Sequence, residues 1–301
     1  MKTSSSDLAS LVVFHAVVKH RSFVGAQVAL GLSQSAVSFH IKALEERFGF
    51  TLCQRGRRGF GLTDRGSVVF EQSKKVFEEL TSFENVVGAL KKRLSGTIRL
   101  GLVDNTITDP QMPVHRVIAA LNRKAPDVIV RIEVRSPESL ISELGNGGLD
   151  LAILPEPGRY PGIRCIALRQ EVHSLYCGST HPLFGRRRTE IVRETVERHA
   201  FVVRPYARML ELEHVPNAIA RVSVSSMEAQ AILVLSGLYL SYLPEHYAKA
   251  WVLRGEMRSL SPSIPRVYSN FFMATRMEKR VSPLLQLAIR EFESALRSSG
   301  R

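Results

Sequence analysis

SFVGAQVALGLSQSAVSFHIKALEERFG, residues 22–49, decides how the first third of the chain folds. Ser22 can cap a short helix over 23–30, because a serine hydroxyl accepts from the free N–H groups of a first turn. Gly31-Leu32 makes a turn. Ser33 caps a second helix through about Phe48, and Gly49 stops it. In that second helix Val37, Ile41, Leu44 and Phe48 recur at helical spacing and form one apolar stripe. Gln34, Ser35, Ser38 and Lys42 fall on the opposite side.

The flanking segments extend this unit. Upstream, Leu8, Leu11, Val12 and Val18 lie on one face of a helix over 7–20. Downstream, FTLCQRGRRGFGLT at 50–63 places two β-prone pieces around the Gly- and Arg-rich segment 55–61, which reads as a β-hairpin wing. Thr63 then caps a long helix from Asp64 to about Leu94. Its positions 69, 73, 76, 80, 83, 87, 90 and 94 are Val, Ser, Val, Leu, Phe, Val, Leu and Leu, an a/d seam interrupted only by Ser73. A lone helix would leave such a seam wet. Val76, Leu80, Phe83, Val87 and Leu90 are therefore expected at a helix-helix dimer contact, the alternative being packing against the helix's own domain.

From Ser95 the pattern changes. Strands over 97–103, 128–134 and 149–154 alternate with helices near 113–124 and 138–144, which predicts a parallel α/β sheet. A second α/β portion follows, with strands near 174–177, 201–203, 221–224 and 239–242 and a helix over 227–235. A strand at 271–274 and an amphipathic helix over 283–296 close the chain.

The 301 residues suit two or three domains, and the net charge of +13 favours a polyanionic partner, nucleic acid or an anionic membrane. The excess is denser in the first 95 residues. Cys53, Cys165 and Cys177 form neither a disulfide framework nor a C-x-x-C pair and are expected to be buried or semi-buried thiols. No stretch approaches the ~18 apolar residues of a membrane span, and residues 1–10 lack a signal core, so a cytoplasmic location is expected. H-E-x-x-H, P-loop, G-x-S-x-G and dinucleotide G-x-G-x-x-G motifs are absent from the sequence, and no metal or other cofactor is expected. Gly145, Gly147 and Gly148 read as a turn.

The chain resembles the LysR-type transcriptional regulators over essentially its whole length. The resemblance rests on Leu11, Phe14, Ser22, Phe23, Ala26, Ser33, Gln34, Ala36, Val37, Ser38, Leu44 and Glu45, then Arg55, Arg57, Arg58, Leu62 and Thr63. GTIRLGLV at 96–103, GGLDLAI at 147–153, HPLF at 181–184 and SGLYLSYLP at 236–244 continue it. Three positions depart: Phe39 stands where the family often has Arg, Gln27 where it has Ala, and Cys53 where it has Phe. The resemblance implies a mainly α/β protein. It would comprise a winged helix-turn-helix (1–62), a linker and dimerisation helix (63–95) and a two-lobed effector domain (96–301) resembling periplasmic binding proteins. Lobe I would span about 97–168 and 269–301, lobe II about 169–268, with the ligand between them.

That frame assigns expected roles. Helix 34–48 enters the major groove. There Ser33, Gln34, Ser35 and Ser38 reach bases or cap the helix, and Phe39 contacts a thymine methyl or packs in the core. His40, Lys42, Arg55, Arg57 and Arg58 meet phosphates, or the wing arginines form a solvated turn. Asp104, Asn105, Thr106, Ser136, Pro137, Val203, Arg204 and Ser225 are the candidate effector contacts, at turns that feed helix starts. Arg204 pairs with an acidic ligand or forms a surface salt bridge, and Asp104 selects an amine-bearing or polar group. The expected partners are double-stranded promoter DNA, a polar or anionic small-molecule effector and further copies of the chain as a homodimer or homotetramer. The expected function is an effector-modulated regulator rather than an enzyme. A constitutive DNA-binding protein would instead have a closed cleft, and an exported solute binder would lack the head.

Overall fold

Serine side chains start the first three helices. Ser4 forms a reciprocal cap with Asp7 at the head of α1 (Ser5–His20). Ser22 accepts from Gly25 N at 3.2 Å to open α2 (Phe23–Leu30), and Ser33 accepts from Ala36 N at 3.1 Å to open α3 (Gln34–Phe48). The last two helices end on glycines in the left-handed region, Gly31 and Gly49 at φ 64° and 77°. This computed structural model describes residues 4–56, 59–90, 94–155, 158, 160–278 and 281–299. Arg57 and Arg58 lie outside the described residues, as do the side chains of Arg55 and Leu90.

The chain divides into two units, Met1–Phe83 and Glu84–Arg301. In the first, α1, α2 and α3 close on Phe14, Val17, Ala26, Val37, Ile41 and Leu44, all buried. Each large side chain removed from water there contributes about 1.5–3 kcal/mol. Phe48, the last member of the α3 stripe, is half-buried. The hairpin forms as expected, β1 (Cys53–Gly56) antiparallel to β2 (Gly59–Leu62) with Arg55 opposite Phe60. Thr63 Oγ1 accepts from Gly66 N at 2.8 Å and starts α4 (Asp64–Leu90). A β-carbon on Gly66 would stand 2.0 Å from Leu52 O, so this close approach of helix to chain requires glycine. The helix was expected to reach about Leu94; residues 91–93 lie outside the described residues.

The second unit begins with β3 (Ser95–Leu102), α5 (Val114–Lys124), β4 (Asp127–Val134), α6 (Pro137–Gly145) and β5 (Leu151–Pro155). Strands β4, β3 and β5 are parallel neighbours. Next come β6 (Ile163–Gly178), α7 (Arg193–Val196), β7 (Ala200–Val203), α8 (Arg208–Glu211), β8 (Ile219–Ser223) and α9 (Met227–Leu235). The chain ends through β9 (Ser241–Pro244), α10 (Glu245–Leu253), β10 (Met257–Ser259), β11 (Val267–Arg276) and α11 (Pro283–Ser299). The main sheet runs β10-β6-β11-β5-β3-β4, with β9 also on β6; β7 pairs with β8 separately.

Three hydrophobic clusters result. One gathers Leu100, Leu140, Ile153 and Phe292, a second Leu175, Phe201, Tyr242 and Val267, and a third Tyr176, Met227, Val234 and Leu243. Strand β6 serves the first two, packing Ile166 and Leu168 on the first and Leu175 and Cys177 on the second. Strand β11 does the same with Met273 and Val267. The two strands pair antiparallel from His173 opposite Val267 to Ile163 opposite Arg276, so a two-stranded ribbon joins the lobes.

Several sequence expectations are corrected. The strand anticipated at 174–177 is the end of a 16-residue strand. Helix α10 and strand β10 were not anticipated, and the strand expected at 239–242 lies at Ser241–Pro244. Cys53 and Cys177 are buried, but Cys165 is exposed, because strand alternation turns it away from the core.

Candidate functional site

Two sites take shape. On the head, α3 presents Ser33, Gln34, Ser35, Phe39 and Lys42 to solvent, opposite its buried stripe. Ser33 is engaged as the cap and bonds Ser35 Oγ at 2.9 Å. Ser38 is half-buried. Phe39 is 69% exposed, so the core-packing alternative fails and an aromatic ring stands free on this surface. Lys42 is ion-paired at 3.5 Å to Glu46, one turn on, in full solvent, a pair of small energetic weight. His40 is half-buried, and its Nδ1 is hydrogen-bonded to Ser10 Oγ at 2.9 Å, tying α3 to α1.

The seam of α4 splits into two parts. Val69 packs on the head core, joined by Phe70 and Phe77, and Ser73 is buried against His15, its Oγ 2.6 Å from Nε2. Beyond them Val76, Leu80 and Phe83 are 43%, 40% and 66% exposed, and Val87 is half-buried. The lower seam is internal packing, as its polar interruption at Ser73 now explains; the upper seam is open.

In the second unit a cavity of about 490 Å³ lies between the two lobes, within the range typical of small-molecule sites. Lobe I contributes Asp104, Asn105, Pro137 and Glu138; lobe II contributes Arg204 and Tyr206; the connecting ribbon supplies Glu171 and His173 from β6 and Tyr268 to Phe271 from β11. Thr106, Ser136, Val203 and Ser225 do not line it. Ser136 is engaged as the cap of α6, and Val203 is buried in β7. Ser225 is exposed, and its neighbour Ser226 caps α9. Thr106 opens a short 3-10 turn behind Asn105, which sits at φ 57°.

The polar residues of the cavity are already interlinked. Asp104 accepts from Met227 N, so its carboxylate holds the start of α9 from the opposite lobe. Arg204, 5% exposed, donates from Nε to Glu211 Oε1 and from Nη1 to Tyr206 Oη, both at 2.9 Å. Its partner is thus a buried carboxylate, not a surface one. Burial opposes the charge on Arg204, but Glu211 and Tyr206 outweigh it and hold its pKa above the ordinary value. Gln230 Nε2 donates to Glu211 at 3.0 Å and completes that buried set.

The sequence did not single out the second set. Glu171 receives His173 Nε2 at 2.7 Å, His246 Nε2 at 2.9 Å and Arg169 Nη2 at 3.0 Å. Arg169 also meets Asp109, and Thr108 Oγ1 lies 2.8 Å from His246 Nδ1. Burial alone would raise the Glu171 pKa, but the hydrogen bonds from both histidines and the charge of Arg169 hold it well below the usual carboxylate range. Asp109, Glu171 and His246 bring three ligand-type atoms within 4.8 Å of one another, and the single guanidinium of Arg169 is shared between the two carboxylates. The only sequence signal was the i, i+2, i+4 spacing of Arg169, Glu171 and His173 on one face of a strand.

Among the described residues no helix is long and apolar enough to cross a membrane. Residues 8–67 match the bacterial regulatory helix-turn-helix protein, lysR family, and residues 91–297 match the LysR substrate binding domain. The HTH-type transcriptional activator BauR of Pseudomonas aeruginosa is 32% identical over 286 residues, 95% of this chain and 94% of its own. Full-length CbnR, solved with its target DNA, superposes with a TM-score of 0.65 at 16% identity, over 96% of this chain and 99% of that one. A full-length OxyR variant from Pseudomonas aeruginosa gives 0.65 at 23% identity, over 99% and 95%. Those two likenesses concern the fold. The matches of head and substrate-binding domain, and an activator aligned along almost its entire length, make this chain a DNA-binding transcriptional regulator of the LysR family.

Proposed function

We propose that α3 reads DNA in the major groove, and that a small molecule held between the lobes sets the activity of the regulator. Residues 1–62 form the reading head, 63–95 the linker and dimerisation helix, and 96–301 the effector domain. Lobe I is about 97–168 with 269–301, and lobe II about 169–268. Gln34, Ser35, Ser38 and Phe39 face bases; Lys42 and the wing arginines Arg55, Arg57 and Arg58 face phosphates. The protein works in the cytoplasm as a homo-oligomer, without catalysis and without a metal or other cofactor. The upper seam of α4 pairs two copies. The exposed β4 edge, with Ile129, Ile132 and Val134 in solvent, suits a further contact between copies.

The observation that carries this reading is the ribbon under the cavity. Because β6 and β11 both floor the cavity and join the lobes, a ligand touching both lobes favours one interlobe angle. The test uses full-length protein and DNA selected by that protein from a random pool. Gln34→Ala and Ser38→Ala are expected to relax sequence preference by roughly 1–3 kcal/mol for each base no longer read. Unchanged affinity and preference in both variants would remove α3 from the interface.

A further inference from the structure

The charges lining the cavity are unbalanced. Asp104, Glu138 and Glu171 present three carboxylates, while Arg204 is the one lining guanidinium among the described residues, and its charge is met by Glu211. Behind Glu171, Arg169 is shared with Asp109. A carboxylate ligand would meet a lining guanidinium that already carries an acid. The helix-start hydroxyls Thr106, Ser136 and Ser225, which would favour an anion, do not line the cavity.

Two further features shape what the cavity can hold. His173 is 1% exposed and lines the cavity; its Nε2 donates to Glu171, and its Nδ1 has no hydrogen-bond partner. That unpartnered nitrogen calls for a hydrogen-bond partner from the ligand. The aromatic walls already accommodate cations: the Arg169 guanidinium lies 4.8 Å from the Phe271 centroid and that of Arg204 5.1 Å from Tyr206. Tyr160 and Tyr268, also in the lining, are 42% and 48% exposed. An ammonium group near such rings gains from their negative faces.

We propose that the effector carries an amine, bound as its ammonium ion toward Glu171 and His173 and between the tyrosine rings, and that a simple carboxylate is not the ligand. This rests on the cavity being the effector site, and of the polar and anionic ligands that the sequence allows it selects the polar one. Glu171 remains ionised throughout the physiological range, because its hydrogen bonds outweigh its burial.

The test is calorimetric titration and thermal shift of the full-length protein with two matched probe sets. One set is butylamine, 4-aminobutanoate and butanoate; the other is 2-phenylethylamine, phenylalanine and 3-phenylpropanoate. In at least one set an amine-bearing probe is expected to bind at least about tenfold more tightly than the acid lacking the amine. Glu171→Gln is expected to weaken that binding by about the same factor. Because Glu171 belongs to a buried ionic set, Tyr268→Leu on the exposed rim provides a second variant, expected to weaken amine binding several-fold with the melting temperature unchanged. Preference for the plain acids, or no binding by any amine, overturns the amine assignment and leaves the cavity as effector site. Amine binding unaltered in both variants overturns the cavity itself.

Discussion

Glu45 reaches back from the last turn of α3 to accept the backbone N–H of Leu52 at 2.7 Å, and Cys53 N adds a second bond at 3.2 Å to the same oxygen. Both donors belong to buried residues entering the hairpin. The carboxylate therefore sets where the wing leaves α3. Glu45→Ala is expected to lower stability by about 1–3 kcal/mol, the cost of buried donors left unpaired, and to weaken DNA binding. Glu45→Gln keeps an acceptor and should be milder. Chemical denaturation and gel shift on the same preparations check both.

Phe39 supplies a second prediction. It stands in solvent beside the His40 ring, 5.9 Å between centroids, and carries no core. Phe39→Ala should leave stability within about 0.5 kcal/mol while weakening binding to selected DNA. Replacing thymine by deoxyuridine removes the methyl that Phe39 would touch. In wild type this substitution should cost affinity at one or two positions, and in Phe39→Ala nothing more. Fluorescence anisotropy measures the difference.

The split seam predicts opposite results at its two ends. Leu80→Asp with Phe83→Asp places charges on exposed apolar positions. The head should remain folded, and sedimentation velocity should show loss of the dimer. Val69→Asp lies on the head core instead and should lower the melting temperature. An unchanged oligomer in the double variant would mean that the upper seam is not the interface.

Acid sensitivity of the head follows from His15. Burial, then the charge on Lys74, pushes its pKa down from 6.5 to about 4. The folded head holds the ring neutral while the unfolded chain takes up a proton near 6.5. The unfolded state thus binds more protons between these values, and stability is lost as pH falls from 6.5 to about 4. Above 6.5 this effect is absent. Histidine resonances followed by NMR should include one with a midpoint near 4 in the head, and His15→Gln should flatten the calorimetric loss of head stability between pH 7 and 5. His181, also held near 4 by burial and by His199, adds the same trend in the effector domain.

The head was almost wholly legible, because its signals are local: serine caps, glycine stops and an apolar stripe within a few residues of one another. Strand β6 was not. Its first eleven residues include Arg164, Arg169, Gln170, Glu171 and His173, and polar residues of this density read as a loop in a single sequence. They are tolerated in a strand because Glu171 finds His246, 75 positions away, and Arg169 finds Asp109, pairings that no spacing rule reveals. The same difficulty explains why half of the candidate effector contacts lie away from the cavity lining. Thr106, Ser136 and Ser225 sit where hydroxyls usually meet a ligand, but Ser136 is consumed as a cap, and the polar floor came instead from the ribbon.

The placement of Arg169, Glu171 and His173 constrains how the regulator can diversify. Glu171 and His173 line the cavity while Arg169 braces Glu171, and all three belong to a strand that both lobes share. A substitution that retunes ligand choice at this floor also alters the stiffness of the connection between lobes. New inducer preference and altered signal strength should thus arrive together in any lineage that mutates these positions. A change of preference that leaves the response intact is more accessible from the walls, at Glu138 or Tyr160, which lie off the ribbon.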